Sequence, residues 1–297
     1  MRHSLLATVA VVLSLFITFP DRAVASQPTI SPETQTSIDI AEAFYTDVLI
    51  YRNLNNFGRY IGDTYIQHAP AYSDGPGELM AAVAKELTMS PDVKVRLYRT
   101  IAEKDYVAIH SVWDTGNAKY VYVDIWRVEN GLLLEHWDHS QIEPKASKNN
   151  NSMYHGPNAD KYSSQDVEQN RERAVALISV FDNPADTSVV DGYVSDEYIQ
   201  HNPTLADGKA PLLGLLKTLD EDRVRSKTTI VKSIAMGDMV LVHSKVVDLT
   251  KANDLGTGYI DIFRFDDSGL IAEHWDVVEP VGKTSQNNNG IFSYPSK

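Results

Sequence analysis

The strongest constraint on the fold of this chain is an internal repeat. Five short motifs occur twice in the same order, and their offsets rise only from 133 to 138 residues. They are YIQH (65–68 and 198–201), DG (74–75 and 207–208), HS (110–111 and 243–244), DIWR or DIFR (124–127 and 261–264) and EHWD (135–138 and 273–276). An Asn-Asn-Asn run follows EHWD in both copies, at 149–151 and 287–289. This conserved order indicates a tandem duplication.

The repeat unit is too long for a solenoid, whose units have about 20–50 residues. A chain of 297 residues has the size of two domains of roughly 150 residues each. We therefore predict two globular domains, residues 28–160 and 161–297, each with its own hydrophobic core.

The N-terminal residues differ in pattern from the rest of the chain. Arg2 and His3 precede an apolar run over residues 5–19, and an A-V-A sequence then ends at Ala25. This pattern predicts a secretory signal peptide, residues 1–25, cut after Ala25, and therefore a periplasmic or secreted protein. The competing interpretation is a transmembrane anchor, but the apolar run is shorter than the ~20 residues that a spanning helix needs. We expect no membrane contact after cleavage.

The composition excludes several partners and chemistries. The formal net charge of −13 repels polyanions, so we expect no nucleic-acid partner. The sequence contains no cysteine, which excludes disulfides, thiolate metal sites and thiol catalysis. The cores alone must therefore stabilise the two domains.

Each copy has a helical pattern first and strand patterns afterwards. Apolar spacing predicts helices over 37–55 and 166–181, and a shorter helix after each DG motif. The strand patterns of the first copy are 93–102, 106–113, 120–128 and 132–142, and 228–278 repeats them. Helices gathered before an antiparallel sheet indicate an α+β domain. We interpret the Asn-rich segment 145–158 as a linker or an extended C-terminal arm.

The hairpin before EHWD predicts which side chains share a face of the sheet. A three-residue loop over 129–131 would place Asp124 opposite His136, and the four-residue loop 266–269 would place Asp261 opposite His274. A two-residue loop at 130–131 would instead move Asp124 off the face of His136. The three-residue loop puts four side chains on one face, namely Asp124, Trp126, His136 and Asp138.

Such a polar face is a poor core, because a buried charge without a partner is costly. We therefore expect it to line a cavity; the alternative is a solvated sheet edge. On the other face, we interpret Arg127 with Glu135, and Arg264 with Glu273, as structural ion pairs.

The motif series resembles the SnoaL-like branch of the nuclear transport factor 2-like superfamily, which includes polyketide cyclases and, more distantly, ketosteroid isomerase. The resemblance implies two tandem cone-shaped domains, each a curved antiparallel sheet wrapped around helices and enclosing a pocket. It also implies that no cofactor is needed.

The resemblance further implies roles for residues of both copies. Asp124 and Asp261 correspond to a protonated oxyanion donor, and His68 and His201 are candidates for a general base. Proton transfer is also expected of the histidine and aspartate of each EHWD motif (His136, Asp138, His274 and Asp276), and substrate contacts are expected of four further lining residues (His110, Trp126, His243 and Phe263). Ile178 stands where the first copy has Tyr45, a departure that argues against steroid isomerisation.

Ligand spacing argues against other site chemistries. Neither H-x-H nor H-E-x-x-H occurs, so we predict no metal site, and a serine hydrolase lacks its G-x-S-x-G turn. Two functions stay open: an acid-base isomerase, cyclase or lyase for a small hydrophobic carbonyl compound, and a protein that binds a small hydrophobic molecule without turnover. Both copies keep every proposed pocket histidine and aspartate, which favours two working pockets. The outer sheet faces are expected to pair, as an intramolecular pseudo-dimer or in a homo-oligomer.

Overall fold

The computed structural model describes residues 30–295. The expected signal peptide, residues 1–25, lies outside the described residues. Within the described part of the chain, no helix combines the length and the apolar character needed to cross a membrane.

Helices open both halves of the chain. They are α1 (Pro32–Phe44), α2 (Pro76–Met89), α3 (Val167–Ser179), α4 (Ser188–Tyr193) and α5 (Lys209–Glu221). Side chains cap the first helix of each half: Ser31 Oγ accepts from the Thr34 N–H at 3.1 Å, and Asp166 accepts from the Gln169 N–H at 3.1 Å. These bonds satisfy N–H groups that have no partner inside the helix. A π-helical turn (Tyr45–Ile50) extends α1, a 3-10 turn (Val180–Asp182) extends α3, and another 3-10 turn spans Leu54–Arg59.

Each half also contains a five-stranded sheet, whose first strand lies between the helices. The first contains β1 (Ile61–Gln67), β2 (Lys94–Glu103), β3 (Tyr106–Asp114), β4 (Lys119–Glu129) and β5 (Leu132–Ile142). The second contains β6 (Val194–Gln200), β7 (Ser226–Met236), β8 (Met239–Asp248), β9 (Thr257–Phe265) and β10 (Ile271–Pro280). The strand orders are β1-β5-β4-β3-β2 and β6-β10-β9-β8-β7, so the predicted α+β class and the two-sheet architecture are confirmed.

The strands that carry YIQH were not among the predicted ones. β1 and β6 are edge strands, each paired in parallel with the last strand of its sheet. Their buried positions alternate only towards the C-terminal end of each strand. The alternating segment therefore lies at the lower limit of the roughly 4–8 residues on which a strand prediction depends.

The predicted hairpin register is wrong by two residues, yet the predicted face is right. The turn is the two-residue Asn130-Gly131, with positive φ at both residues, and Glu129 pairs with Leu132. A bulge further along then restores the face, so that Asp124 lies opposite Asp138 rather than opposite His136. The second sheet has an equivalent bulge, which places Asp261 opposite Asp276 rather than His274.

The chain segments after the two sheets are exchanged. We call residues 144–158 the first arm and residues 281–295 the second arm. The Trp275 indole of the second domain donates to the His155 carbonyl of the first arm at 2.7 Å, and the Trp137 indole of the first domain donates to the Ser293 carbonyl of the second arm at 2.9 Å. Each domain is therefore covered on its outer sheet face by the arm of the other.

Candidate functional site

Three polar side chains form the floor of a cavity in the second domain. Asp261 on β9 lies opposite Asp276 on β10, and His274 lies two residues before Asp276 on the same face. The His274 Nε2 is 2.9 Å from Asp261 Oδ1, and the ring stacks on Phe263 with centroids 4.8 Å apart. The alternation of side chains along two paired strands brings these groups together.

Both ring nitrogens of His274 face acceptors. The Asn202 backbone N–H donates to Gln200 Oε1 at 2.7 Å, which fixes the orientation of that amide. The same oxygen lies 2.9 Å from His274 Nδ1, so Nδ1 carries a proton. Burial acts to lower the pKa of His274, but the hydrogen bond to Asp261 and the charges of Asp276 and Asp261 raise it overall. His274 is thus a held proton donor rather than a free base.

Each of the two floor carboxylates has one oxygen without a hydrogen-bond partner. Asp276 Oδ2 accepts from the Asn202 side-chain amide at 2.6 Å, whereas Asp276 Oδ1 and Asp261 Oδ2 are buried without a partner among the described residues. Buried carboxylate oxygens are normally hydrogen-bonded, and unsatisfied ones need an explanation. Burial raises the pKa of Asp276 above its ordinary range, which moves this carboxyl towards the pKa of a useful general acid or base.

The cavity above this floor has a volume of about 460 Å³. Its apolar walls include side chains of α3 and α5, namely Leu177, Ile178, Leu212, Leu215 and Leu219, and Lys251, Asp248 and Asp254 also line it. A pocket with apolar walls and a few convergent polar groups is the usual form of a small-molecule site.

The first domain has the same floor but little space above it. His136 Nε2 is 2.9 Å from Asp124 Oδ1, and burial raises the pKa of Asp138 to about 6. The cavity measures only about 80 Å³. Larger side chains line it at four equivalent positions, where Phe44, Tyr45, Tyr72 and Trp113 stand in place of Leu177, Ile178, Leu205 and Val246.

Sequence differences between the two copies also change the surroundings of the floor carboxylates. Tyr45 is buried beside Asp124, and burial first and then the charge of Asp124 raise the pKa of Tyr45. At the equivalent position Ile178 offers no hydroxyl, which leaves Asp261 Oδ2 unsatisfied. Ala69 stands where the second domain has Asn202, so Asp138 lacks the corresponding amide donor.

The structure corrects the expected place of His68 and His201. Neither ring lines either of the two cavities described above. His68 stacks on Trp137 at 4.2 Å between Glu135 Oε2 at 3.3 Å and the Gly290 carbonyl at 3.0 Å. His201 has the same setting, stacked on Trp275 with both ring nitrogens facing oxygen acceptors. The YIQH histidines thus lie on the opposite face of the sheet, where they hold the exchanged arms.

His110 and His243 also lie outside the cavities, which corrects their expected substrate contacts. The His110 Nδ1 is 2.5 Å from the Arg99 guanidinium. The His243 Nε2 is 3.1 Å from the Nε2 of His139, in the other domain. Both rings are buried at the contact between the domains. Of the predicted lining residues, Trp126 and Phe263 do face the cavities.

The expected ion pairs on the outer face are present. The Arg127 Nε donates to Glu135 at 2.8 Å, and the Arg264 Nε donates to Glu273 at 2.8 Å. Glu135 and Glu273 also face the imidazoles of His68 and His201. They therefore act as shared acceptors that fix the histidines under the arms.

The floor groups also resemble a metal-binding set. In each domain, ligand atoms of two aspartates and one histidine lie within 4.8 Å of one another. Both nitrogens of His136 and His274 already face acceptors within the protein, so a metal would have to displace one of these contacts. A metal ion would therefore compete with hydrogen bonds of the protein itself, and the absence of a metal site stays a prediction.

Sequence reasoning missed three residues of the second site, Gln200, Asn202 and Ser244, although the repeated HS motif was a signal for Ser244. The repeated Q of YIQH was a signal for Gln200, because the same letter recurs in both copies. Asn202 had none, since its first-copy counterpart is Ala69.

Comparison with known proteins identifies the fold. Residues 41–136 match the family model of the SnoaL-like domain. This part of the first half is therefore similar to a SnoaL-like domain. The second half repeats its strand order, so the expected resemblance to the SnoaL-like branch of the nuclear transport factor 2-like superfamily is confirmed.

Solved structures with the SnoaL-like fold show low sequence identity to this chain. A SnoaL-like protein of unknown function from Burkholderia thailandensis is 18% identical, with a TM-score of 0.33, and the match covers 37% of this chain and 99% of that one. A candidate ketosteroid isomerase from Kribbella flavida is 18% identical, with a TM-score of 0.34 and coverage of 40% and 86%. A candidate polyketide cyclase from Acidithiobacillus ferrooxidans is 16% identical, with a TM-score of 0.32 and coverage of 36% and 88%. No curated protein matches the chain.

Proposed function

We propose that the second domain is an acid-base enzyme for a small, largely apolar carbonyl compound, and that it uses its own side chains for proton transfer. The observation that carries this proposal is the pair of unsatisfied carboxylate oxygens, Asp261 Oδ2 and Asp276 Oδ1, at the floor of a 460 Å³ cavity. Neither oxygen has a hydrogen-bond partner within residues 30–295, and both aspartates line the cavity.

Asp276 is the proposed proton-transfer group. Its raised pKa and free Oδ1 suit a base that takes a proton from the carbon next to a carbonyl and returns it elsewhere. The His274 proton shared with Asp261 supplies positive charge beside the developing enolate. Asp261 accepts a hydrogen bond from His274, so its role here is to hold that ring rather than to donate to an oxyanion.

Ser244 is the proposed donor to the carbonyl oxygen. Its hydroxyl is buried, has no partner in the described part of the chain and lines the same cavity. Ser244 pairs with Tyr259 on β9, two residues from Asp261 and on the same face. A hydroxyl at this place can donate to an oxygen while Asp276 acts on the neighbouring carbon.

The charges of the cavity limit the ligand to neutral or cationic molecules. Four aspartates line it, namely Asp248, Asp254, Asp261 and Asp276, against Lys251 and His274, whose pKa is raised. A carboxylate-bearing ligand would meet net negative charge in a site of low dielectric.

The alternative function is binding without turnover. One observation favours it: the first domain keeps the same Asp124-His136-Asp138 floor where the cavity has almost no space, so this network also stabilises a sheet without a ligand.

We propose that the first domain is the structural partner of the second, in an intramolecular pseudo-dimer. We also propose that the chain is exported through its N-terminal signal.

Exchange of α-protons in D₂O tests the proposal without knowledge of the product. The probe is 2-tetralone, an apolar ketone with acidic C–H groups, followed by proton NMR. We expect the protein to accelerate exchange and Asp276→Asn to remove the acceleration. Asp138→Asn, in the first domain with its small cavity, should leave the acceleration unchanged. Equal losses in both variants would contradict the assignment to the second domain, and saturable binding without any exchange would favour the binding protein.

A further inference from the structure

The exchanged arms hold equivalent loops of the two domains through the repeated asparagines. The Asn149 amide donates to the carbonyls of Asn202, at 2.7 Å, and Leu205, at 2.9 Å. The Asn151 amide donates to the carbonyl of Gln200 at 2.9 Å and to Asp207 at 3.0 Å. Both asparagines belong to the first arm, so the first domain supplies the segment that holds the 200–207 loop of the second.

The second arm repeats each contact on the first domain. The Asn287 amide donates to the carbonyls of Ala69, at 2.8 Å, and Tyr72, at 2.9 Å. The Asn289 amide donates to the Gln67 carbonyl at 2.9 Å and to Asp74 at 2.7 Å. The chain thus contains two copies of one arrangement, and each asparagine has a matched counterpart.

The held loops differ in what they carry into the site. The loop of the second domain carries Asn202, whose side-chain amide donates to Asp276 Oδ2 at 2.6 Å and whose N–H fixes Gln200 beside His274. The loop of the first domain carries Ala69, which has the backbone contact with Gln67 but no side chain to reach Asp138. Displacement of the loop therefore changes a side-chain hydrogen bond to the floor aspartate of the EHWD motif only in the second domain.

We propose that Asn149 is a positioning residue for the second-domain site: the first arm holds the backbone of Asn202 so that its amide stays on Asp276. Asn149 does not line the cavity and acts only through Asn202. A segment of the first domain then completes the site of the second. The Asn-Asn-Asn run of the first arm affects a floor aspartate, whereas that of the second arm only holds a loop. This proposal rests on the proposed role of Asp276, but its test uses no turnover.

The test compares Asn149→Ala with its matched control, Asn287→Ala. Each variant removes an amide that donates to two loop carbonyls, so both are expected to lower the unfolding midpoint by similar amounts. The readout is the pKa of Asp276, from a ¹³C NMR pH titration of aspartate carboxyl carbons, with the resonance assigned by Asp276→Asn.

A hydrogen bond donated to a carboxylate favours its charged form. We therefore expect Asn149→Ala to raise the pKa of Asp276, in the direction of Asn202→Ala and by no more than that variant, while Asn287→Ala leaves it at the wild-type value. An unchanged pKa in Asn149→Ala, or an equal shift in Asn287→Ala, would overturn the proposal. If Asn149→Ala does not fold, Asn151→Ala and Asn289→Ala provide the same comparison with the same two outcomes.

The titration also separates this proposal from the proposed function. A protein that shows the selective shift but no proton exchange with 2-tetralone would keep the positioning role and lose the enzymatic one. A protein with exchange but no selective shift would keep the enzyme and lose the role of the arm.

Discussion

The pH dependence of stability tests where His110 lies. Its ring is fully buried, and Nδ1 accepts a hydrogen bond from the Arg99 guanidinium. Because a guanidinium only donates, the single imidazole proton must lie on Nε2, and a second proton would face a cation. Burial first, and then Arg99, lower the pKa of His110 well below its ordinary value.

A histidine that stays neutral when folded destabilises the protein in acid, because the unfolded chain takes up the proton that the folded chain refuses. With an unfolded pKa near ~6.5, the unfolded state goes from about 0.1 to about 0.9 bound protons between about pH 7.5 and about pH 5.5. The expected loss is about 1.4 kcal/mol of unfolding free energy from this residue.

The assay is urea unfolding of the wild type and of His110→Gln at both pH values. The Gln amide oxygen can still accept from Arg99, and the other titrating groups contribute almost equally to both proteins. We expect the wild type to lose about 1.4 kcal/mol more than the variant on acidification. Equal losses would refute the placement, since a histidine open to a ligand cavity would titrate near its ordinary value in both states.

Two further changes test the outer sheet faces. Glu135→Ala removes the acceptor shared by Arg127 and His68. It is expected to cost about 1.5–3 kcal/mol, because Arg127 loses a buried charged partner and keeps only the exposed Glu129; a cost near zero in urea unfolding would contradict that role. Gly258→Ala places a Cβ against the Nε2 of His139 in the other domain. We expect this overpacking to lower the free energy of unfolding by about 1–3 kcal/mol. An unchanged thermal midpoint would show that the domains do not pack there.

The sequence predicted the fold well because its strongest signals were repeated and periodic. The strand pattern of β5 matched its observed bounds, residues 132–142. The inward face survived an incorrect turn because the bulge before Glu135 offset the error. A bulge adds one residue to one strand, and period-two patterns do not reveal it.

The site was harder to predict because it depends on volume and on contacts distant in sequence. The identity of Asp, His and Asp in both copies favoured two equivalent pockets, but the space above each floor depends on packed side chains such as Tyr72 and Leu205. The YIQH histidines were expected beside the floor because the resemblance made them candidates for a general base. Their actual partners, such as Gly290, lie 222 residues away along the chain.

The central claim is that, of the two floor cavities within residues 30–295, only that of the second domain has space for a ligand, and one NMR titration tests it. The probe is 2-naphthol, which is neutral, has apolar rings and carries one hydroxyl that can donate to a free carboxylate oxygen. We predict one saturable site, with amide shifts around Phe263 and His274, and loss of binding in the double variant Leu205→Tyr, Val246→Trp, which introduces the side chains of the first copy. Shifts of equal size around Trp126 and His136, or binding that persists in the double variant, would contradict the account.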